Sequence, residues 1–97
     1  MKNKVQILKQ LEQLKEEVQK RYKVKKIGLF GSIIRDKQKK TSDIDILVDF
    51  EDGADLFDFV GLAIFLEEKL HERVDVVPRR ALREEIKAVV LKEVAYI

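Results

Sequence analysis

Gly31-Ser32, ten further residues, and then Asp43-Ile44-Asp45 form the pattern in this chain with the clearest chemical content. Asp43, Asp45 and Asp49 alternate with Ile44, Ile46 and Val48. A strand over 43–50 therefore sets Asp43 and Asp45 side by side on one face and turns the branched residues toward a core. Two carboxylates this close repel, and burying either without a partner is costly. A hard divalent cation such as Mg2+ relieves both penalties, because it takes carboxylate oxygens together with substrate phosphates.

A third acid stands in a comparable setting. Arg73-Val74-Asp75-Val76-Val77, ending at Pro78, reads as a short strand over 73–77. If it lies beside the 43–50 strand, Asp75 completes a three-carboxylate cage for two Mg2+ ions, which together clamp the attacking and leaving oxygens of a displacement at phosphorus. Upstream, a strand over 25–30 delivers Gly31, whose missing Cβ lets phosphate oxygens approach the main chain. Ser32 suits the N-cap of a short helix through Ile33-Ile34-Arg35, and a helix start offers free N–H groups to an anion. Arg35 has the planar fork that grips phosphate through two bonds. Lys40 is the loop lysine best placed to join it, while Lys37 and Lys39 read as solvated.

In this order the parts resemble a minimal nucleotidyltransferase of the DNA polymerase β-like superfamily. Its signature is Gly-Ser followed some ten residues later by Asp-x-Asp, here Gly31-Ser32 with Asp43 and Asp45, and Asp75 matches its third strand carboxylate. Members often carry glycine after the arginine of the first motif, where this chain has Asp36. The resemblance implies an α+β fold with a small mixed sheet. Asp43, Asp45 and Asp75 are implied as catalytic metal ligands, and Gly31, Ser32, Arg35, Lys40 and Ser42 as the nucleotide-binding set. ATP is implied as substrate. Proteins of this kind are similar to antitoxins paired with a helical HEPN-domain ribonuclease, so the resemblance implies transfer of AMP onto a tyrosine of that toxin. Two other readings stay open. One is an antitoxin that silences the ribonuclease by contact alone; the other is a transferase acting on RNA or a small molecule, although those enzymes usually carry an additional domain for the acceptor.

Composition fits this picture. Ninety-seven residues suit one domain with a single core. Without cysteine, disulfides and thiolate metal sites are excluded. The longest apolar run, Phe59 to Leu66, is far too short to span a membrane, and the N-terminus lacks the apolar core of a signal peptide, so a cytoplasmic location is expected. The net charge of +2 conceals an asymmetry. Residues 1–40 hold 13 Lys/Arg against 4 Asp/Glu, whereas residues 41–60 hold 7 Asp/Glu and no Lys or Arg. A basic segment beside an acidic one suits a metal cage flanked by triphosphate-attracting cations. Aromatic residues are not interleaved with those cations, which argues against direct nucleic-acid binding. A homodimer is left open.

The remaining elements follow from periodicity. Ile7 or Leu8, Leu11, Leu14, Val18 and Tyr22 mark a first helix over 4–21. Glu51-Asp52-Gly53 signals a turn, and 54–70 reads as a helix with Asp55 at its positive end. That helix is apolar in nearly every direction, so one side is expected on the sheet and most of the other under the first or last helix, with a partner protein as the alternative. A last helix from Ala81 or Leu82 would bury Leu82, Ile86, Val89, Val90 and Val94. His71, at a helix end among charges, reads as a capping or solvated residue.

Overall fold

The computed structural model describes residues 2–97 as four strands and three α-helices. The first helix, α1 (Lys4–Tyr22), is started by a capping box in which Asn3 and Gln6 satisfy each other's amides. It ends at Lys23, whose φ of 55° turns the chain into β1 (Val24–Phe30). A 3-10 turn over Gly31–Ile33 and a loop lead to β2 (Ile44–Phe50). The second helix, α2 (Leu56–Leu70), has its own capping box from Asp55 and Asp58, and His71 closes it with a φ of 55°. Next come β3 (Val74–Pro78), a 3-10 turn over Arg79–Ala81, α3 (Glu84–Glu93) and β4 (Ala95–Tyr96).

The sheet order is β3-β2-β1-β4, with β2 parallel to β3 and β1 antiparallel to both β2 and β4. The parallel β2–β3 pair requires a crossover, and α2 supplies it. Ile27, Leu29, Ile44, Ile46, Val48 and Val76 share one face and join Ile7, Leu11 and Val18 of α1 and Leu62, Phe65, Leu66 and Leu70 of α2 in one buried core. The opposite face carries Asp45, Asp49 and Asp75, with Leu47 fully buried among them.

The stripe expected on α1 is borne out: Ile7, Leu11 and Val18 are buried, while Leu8, Leu14 and Tyr22 pack against the core. The stripe expected on the last helix is not. Leu82 lies ahead of α3, Ile86 and Val89 are exposed, and Val90 is the buried residue of that helix. Nor do other helices cover most of the outer side of α2. Leu56, Phe57, Val60 and Ile64 are exposed, Phe57 to 86%. Among the described residues no helix is long and apolar enough to cross a membrane.

Candidate active site

The end of β1 and the beginnings of β2 and β3 lie at one edge of the sheet. Strand pairing sets Phe30 opposite Asp45, and Asp45 is the parallel register partner of Asp75. Gly31, with φ +79°, begins the turn immediately beyond. A Cβ added to Gly31 would lie 2.1 Å from Asp45 Oδ2, so only glycine lets this carboxylate rest against the turn. The Gly-Ser turn and the strand acids therefore meet.

Asp45 is half-buried, whereas Asp43 and Asp75 are exposed. Its carboxyl is pushed up from the ordinary 3.8 to about 6. Burial is the main cause, followed by the charges of Asp75 and Asp43; Arg35 acts in the opposite direction, and Glu93 adds a small further push upward. This is the electrostatic condition that a bound divalent cation would relieve, and an all-oxygen donor set suits a hard ion such as Mg2+. Among the described residues no three acidic or histidine side chains yet converge closely enough to cage an ion. At Asp43 the near neighbour is a cation: Arg73 Nε lies 3.2 Å from Oδ1 while the same guanidinium donates to the Thr41 carbonyl. Asp43 is thus paired with a cation of the chain itself. The residues present fit the ion in type.

On the phosphate side the 3-10 turn starts two residues earlier than expected, at Gly31 rather than Ile33. Phe30 is the N-cap residue and makes no side-chain cap bond, so Ser32 lies inside the turn rather than at its cap. The amides opening such a turn lack intrahelical partners. Arg35 follows and is about half exposed. Asp36 adopts φ +56°, the left-handed conformation that glycine would take without cost. Its carboxylate pairs with Lys4 Nζ at 3.2 Å, which ties the loop to the start of α1. Ser42 accepts a bond from the Lys39 amide at 3.0 Å and returns its own amide to the Lys39 carbonyl, so it braces the loop. Lys40 is exposed on that same turn.

Two further residues belong to the site. Arg73 could have been found from alternation, since it stands two residues before Asp75 on the same strand face. Glu93 could not. It comes from the end of α3, and its Oε1 accepts from the Gly31 amide at 2.9 Å. An apolar groove of about 330 Å3, lined by Phe50, Ala54, Asp55, Leu56, Phe59, Pro78 and Arg80, is remote from this chemistry. It sits at the far end of β2, about 16 Å from Asp45 at the usual strand rise.

The nucleotidyltransferase-domain family profile matches residues 11–97. The chain belongs to this nucleotidyltransferase family. Among individual relatives, the protein adenylyltransferase MntA of Thermococcus cleftensis is 45% identical over 83 residues, which is 86% of this chain and 84% of that protein. A solved structure provisionally assigned as a minimal nucleotidyltransferase superposes with a TM-score of 0.75 at 35% identity, covering 91% of this chain and 93% of its own. A toxin–antitoxin complex solved with AMP-PNP aligns with a TM-score of 0.69 at 29% identity, over 88% of this chain and 70% of that one. The expected polymerase β-like nucleotidyltransferase fold is therefore the fold observed, with β4 as an addition that sequence patterning did not supply.

Proposed function

We propose that this nucleotidyltransferase moves AMP from ATP to a hydroxyl of a partner protein, and that the partner is the toxin of a two-gene pair in the cytoplasm. The observation that carries the reading is the meeting of Asp45 with Gly31 on one side and Asp75 on the other. Names borne by similar proteins support it: one is a protein adenylyltransferase, and another is a toxin–antitoxin complex with a nucleotide analogue. Among toxins, a HEPN-domain ribonuclease is the partner that the resemblance of Gly31-Ser32, Asp43 and Asp45 to such antitoxins implies.

In this reading Asp43, Asp45 and Asp75 hold Mg2+, which when bound neutralises triphosphate charge and polarises the α-phosphate. Gly31, Ser32 and Arg35 grip the β- and γ-phosphates, with Lys40 adding charge and Ser42 keeping the loop in shape. Asp75, exposed at the rim, takes the proton from the acceptor hydroxyl. The hydroxyl oxygen then bonds to the α-phosphorus, the bond to the bridging oxygen breaks in line, and pyrophosphate leaves. Most of the rate gain comes from position and charge neutralisation. The exposed acids make an open site, which suits an acceptor brought by a second protein.

The test is incubation with Mg2+-ATP and the product of the neighbouring gene, followed by intact mass of both. A mass increase of one AMP on the partner is expected, and Asp43→Asn or Asp45→Asn should abolish it without unfolding the chain. A tight complex with unchanged masses would replace this reading with a contact-only antitoxin. The hold of Arg73 on Asp43 is the feature that favours that second reading.

A further inference from the structure

We propose that Glu93 is a positioning residue for the triphosphate site, clamping the Gly31 turn and the Arg35 guanidinium into one unit. The proposal rests on the reading that this turn and Arg35 receive the phosphates. Glu93 is the last residue of α3, 58 residues beyond Arg35, and its side chain is 18% exposed. One carboxylate oxygen, Oε1, accepts from the Gly31 amide at 2.9 Å and lies 3.5 Å from Arg35 Nη1. The other, Oε2, accepts from the same Nη1 at 3.3 Å. A single carboxylate therefore joins the backbone of the turn to its cation.

The segment that delivers Glu93 is itself fixed. Beyond it, Ala95 and Tyr96 pair with Leu29 and Gly28 of β1, and the Ile97 amide donates to the Ile27 carbonyl at 3.1 Å. This passage is so close that a Cβ on Gly28 would stand 2.7 Å from the Ala95 carbonyl oxygen and 2.9 Å from Val94 Cγ2. Gly28 thus lets the C-terminal segment lie close against β1, and that pairing sets Glu93 on Gly31.

A carboxylate at a phosphate site could instead be a stand-in that the triphosphate must expel. Two features argue for a resident clamp. Glu93 takes only the Gly31 amide of the turn, and the Ser32 amide next to it has no partner within a 3-10 turn, so a ligand can use Ser32 while Gly31 keeps its bond to Glu93. Arg35 contacts Glu93 through Nη1 alone, which leaves donors on Nη2 and Nε of its five-donor fork for phosphate. Holding a long, half-exposed side chain in one orientation before the ligand arrives lowers the ordering cost of binding.

The two roles predict opposite signs. Mg2+-ATP affinity is measured by calorimetry for the wild type, Glu93→Gln, Arg35→Ala and the double variant, each first shown to be folded by its melting curve. Glutamine still accepts from the Gly31 amide but loses the charge that orients Arg35. A resident clamp predicts that Glu93→Gln weakens binding about threefold to tenfold, and that this loss vanishes in the Arg35→Ala background. Tighter binding by Glu93→Gln would overturn the proposal in favour of a stand-in. An equal loss in both backgrounds would reduce Glu93 to a support of the fold. Unchanged binding by Glu93→Gln, with Arg35→Ala impaired, sinks this inference alone. No binding by the wild type, or none of it dependent on Arg35, overturns the site reading and the inference with it.

Discussion

Asp45, which the proposed function makes a metal ligand, costs the fold stability. With its carboxyl at about 6 in the folded chain and an ordinary value of 3.8, the native state binds the proton more tightly than the unfolded one. Stability therefore falls as pH rises from about 4 to 6 and levels off above that window. Discounted for the half-exposure of the group, the penalty at neutral pH is about 1 kcal/mol. Asp45→Asn should lose transfer activity yet melt higher than the wild type at pH 7, with a flatter melting profile between pH 4 and 6. Mg2+ should raise the neutral melting temperature of the wild type and leave that of Asp45→Asn nearly unchanged. Equal Mg2+ shifts in both proteins would remove Asp45 from the ion's ligands. The turn offers two further substitutions. Gly31→Ala places a methyl group on the Asp45 carboxylate at a positive φ, so it should cost about 2 kcal/mol in chemical denaturation and disable the site. Asp36→Gly removes a left-handed aspartate but also the pair with Lys4, and its net effect should stay within about 0.5 kcal/mol.

The elements differ in how openly the sequence announces them. The stripe of α1, the alternation in β2 and the Pro78 stop after β3 are repeated local signals, and each element forms within two residues of its expected bounds. Strand β4 has two residues, too few to carry any alternation. The apolar residues of α3 suggested a broad buried stripe, but the helix meets the rest of the molecule through a narrow side bearing Val90, so Ile86 and Val89 face solvent. Ser32 lies inside its turn rather than at the cap, because the turn already begins at Gly31, whose positive φ a glycine adopts without strain. The pairing of the C-terminal segment with β1 can be tested through its tightest point. Gly28→Ala should displace the segment at a cost of about 2 kcal/mol and abolish slow hydrogen exchange at the Ile97 amide. Retained protection at that amide would show that the segment yields without letting go.

Across the whole molecule, burial separates two populations of apolar residues on α2. Leu62 and Leu66 are sealed in the core, whereas Leu56, Phe57, Val60 and Ile64 form an outer stripe open to solvent. Leu62→Ala should cost about 2–5 kcal/mol in denaturant unfolding, while Phe57→Ser should change stability by about 0.5 kcal/mol or less. A large loss from the second substitution would mean that the stripe is covered in solution. The acids, the turn and Arg35 likewise cluster at one end of the sheet, while the apolar groove at Phe50 and Pro78 occupies the other.

From residue order alone one could read the carboxylate pair, the third strand acid, the glycine-serine bend and the class of fold that holds them. Such signals depend on neighbours two to four positions apart, and strand and helix geometry fixes where those side chains point. Contacts between distant segments were beyond that reach. Arg73 on Asp43, Lys4 on Asp36 and Glu93 on Gly31 join residues 30, 32 and 62 positions apart. Such partners are chosen by how the sheet and helices stack, because a side chain finds its counter-charge only after packing has brought the two backbones within reach.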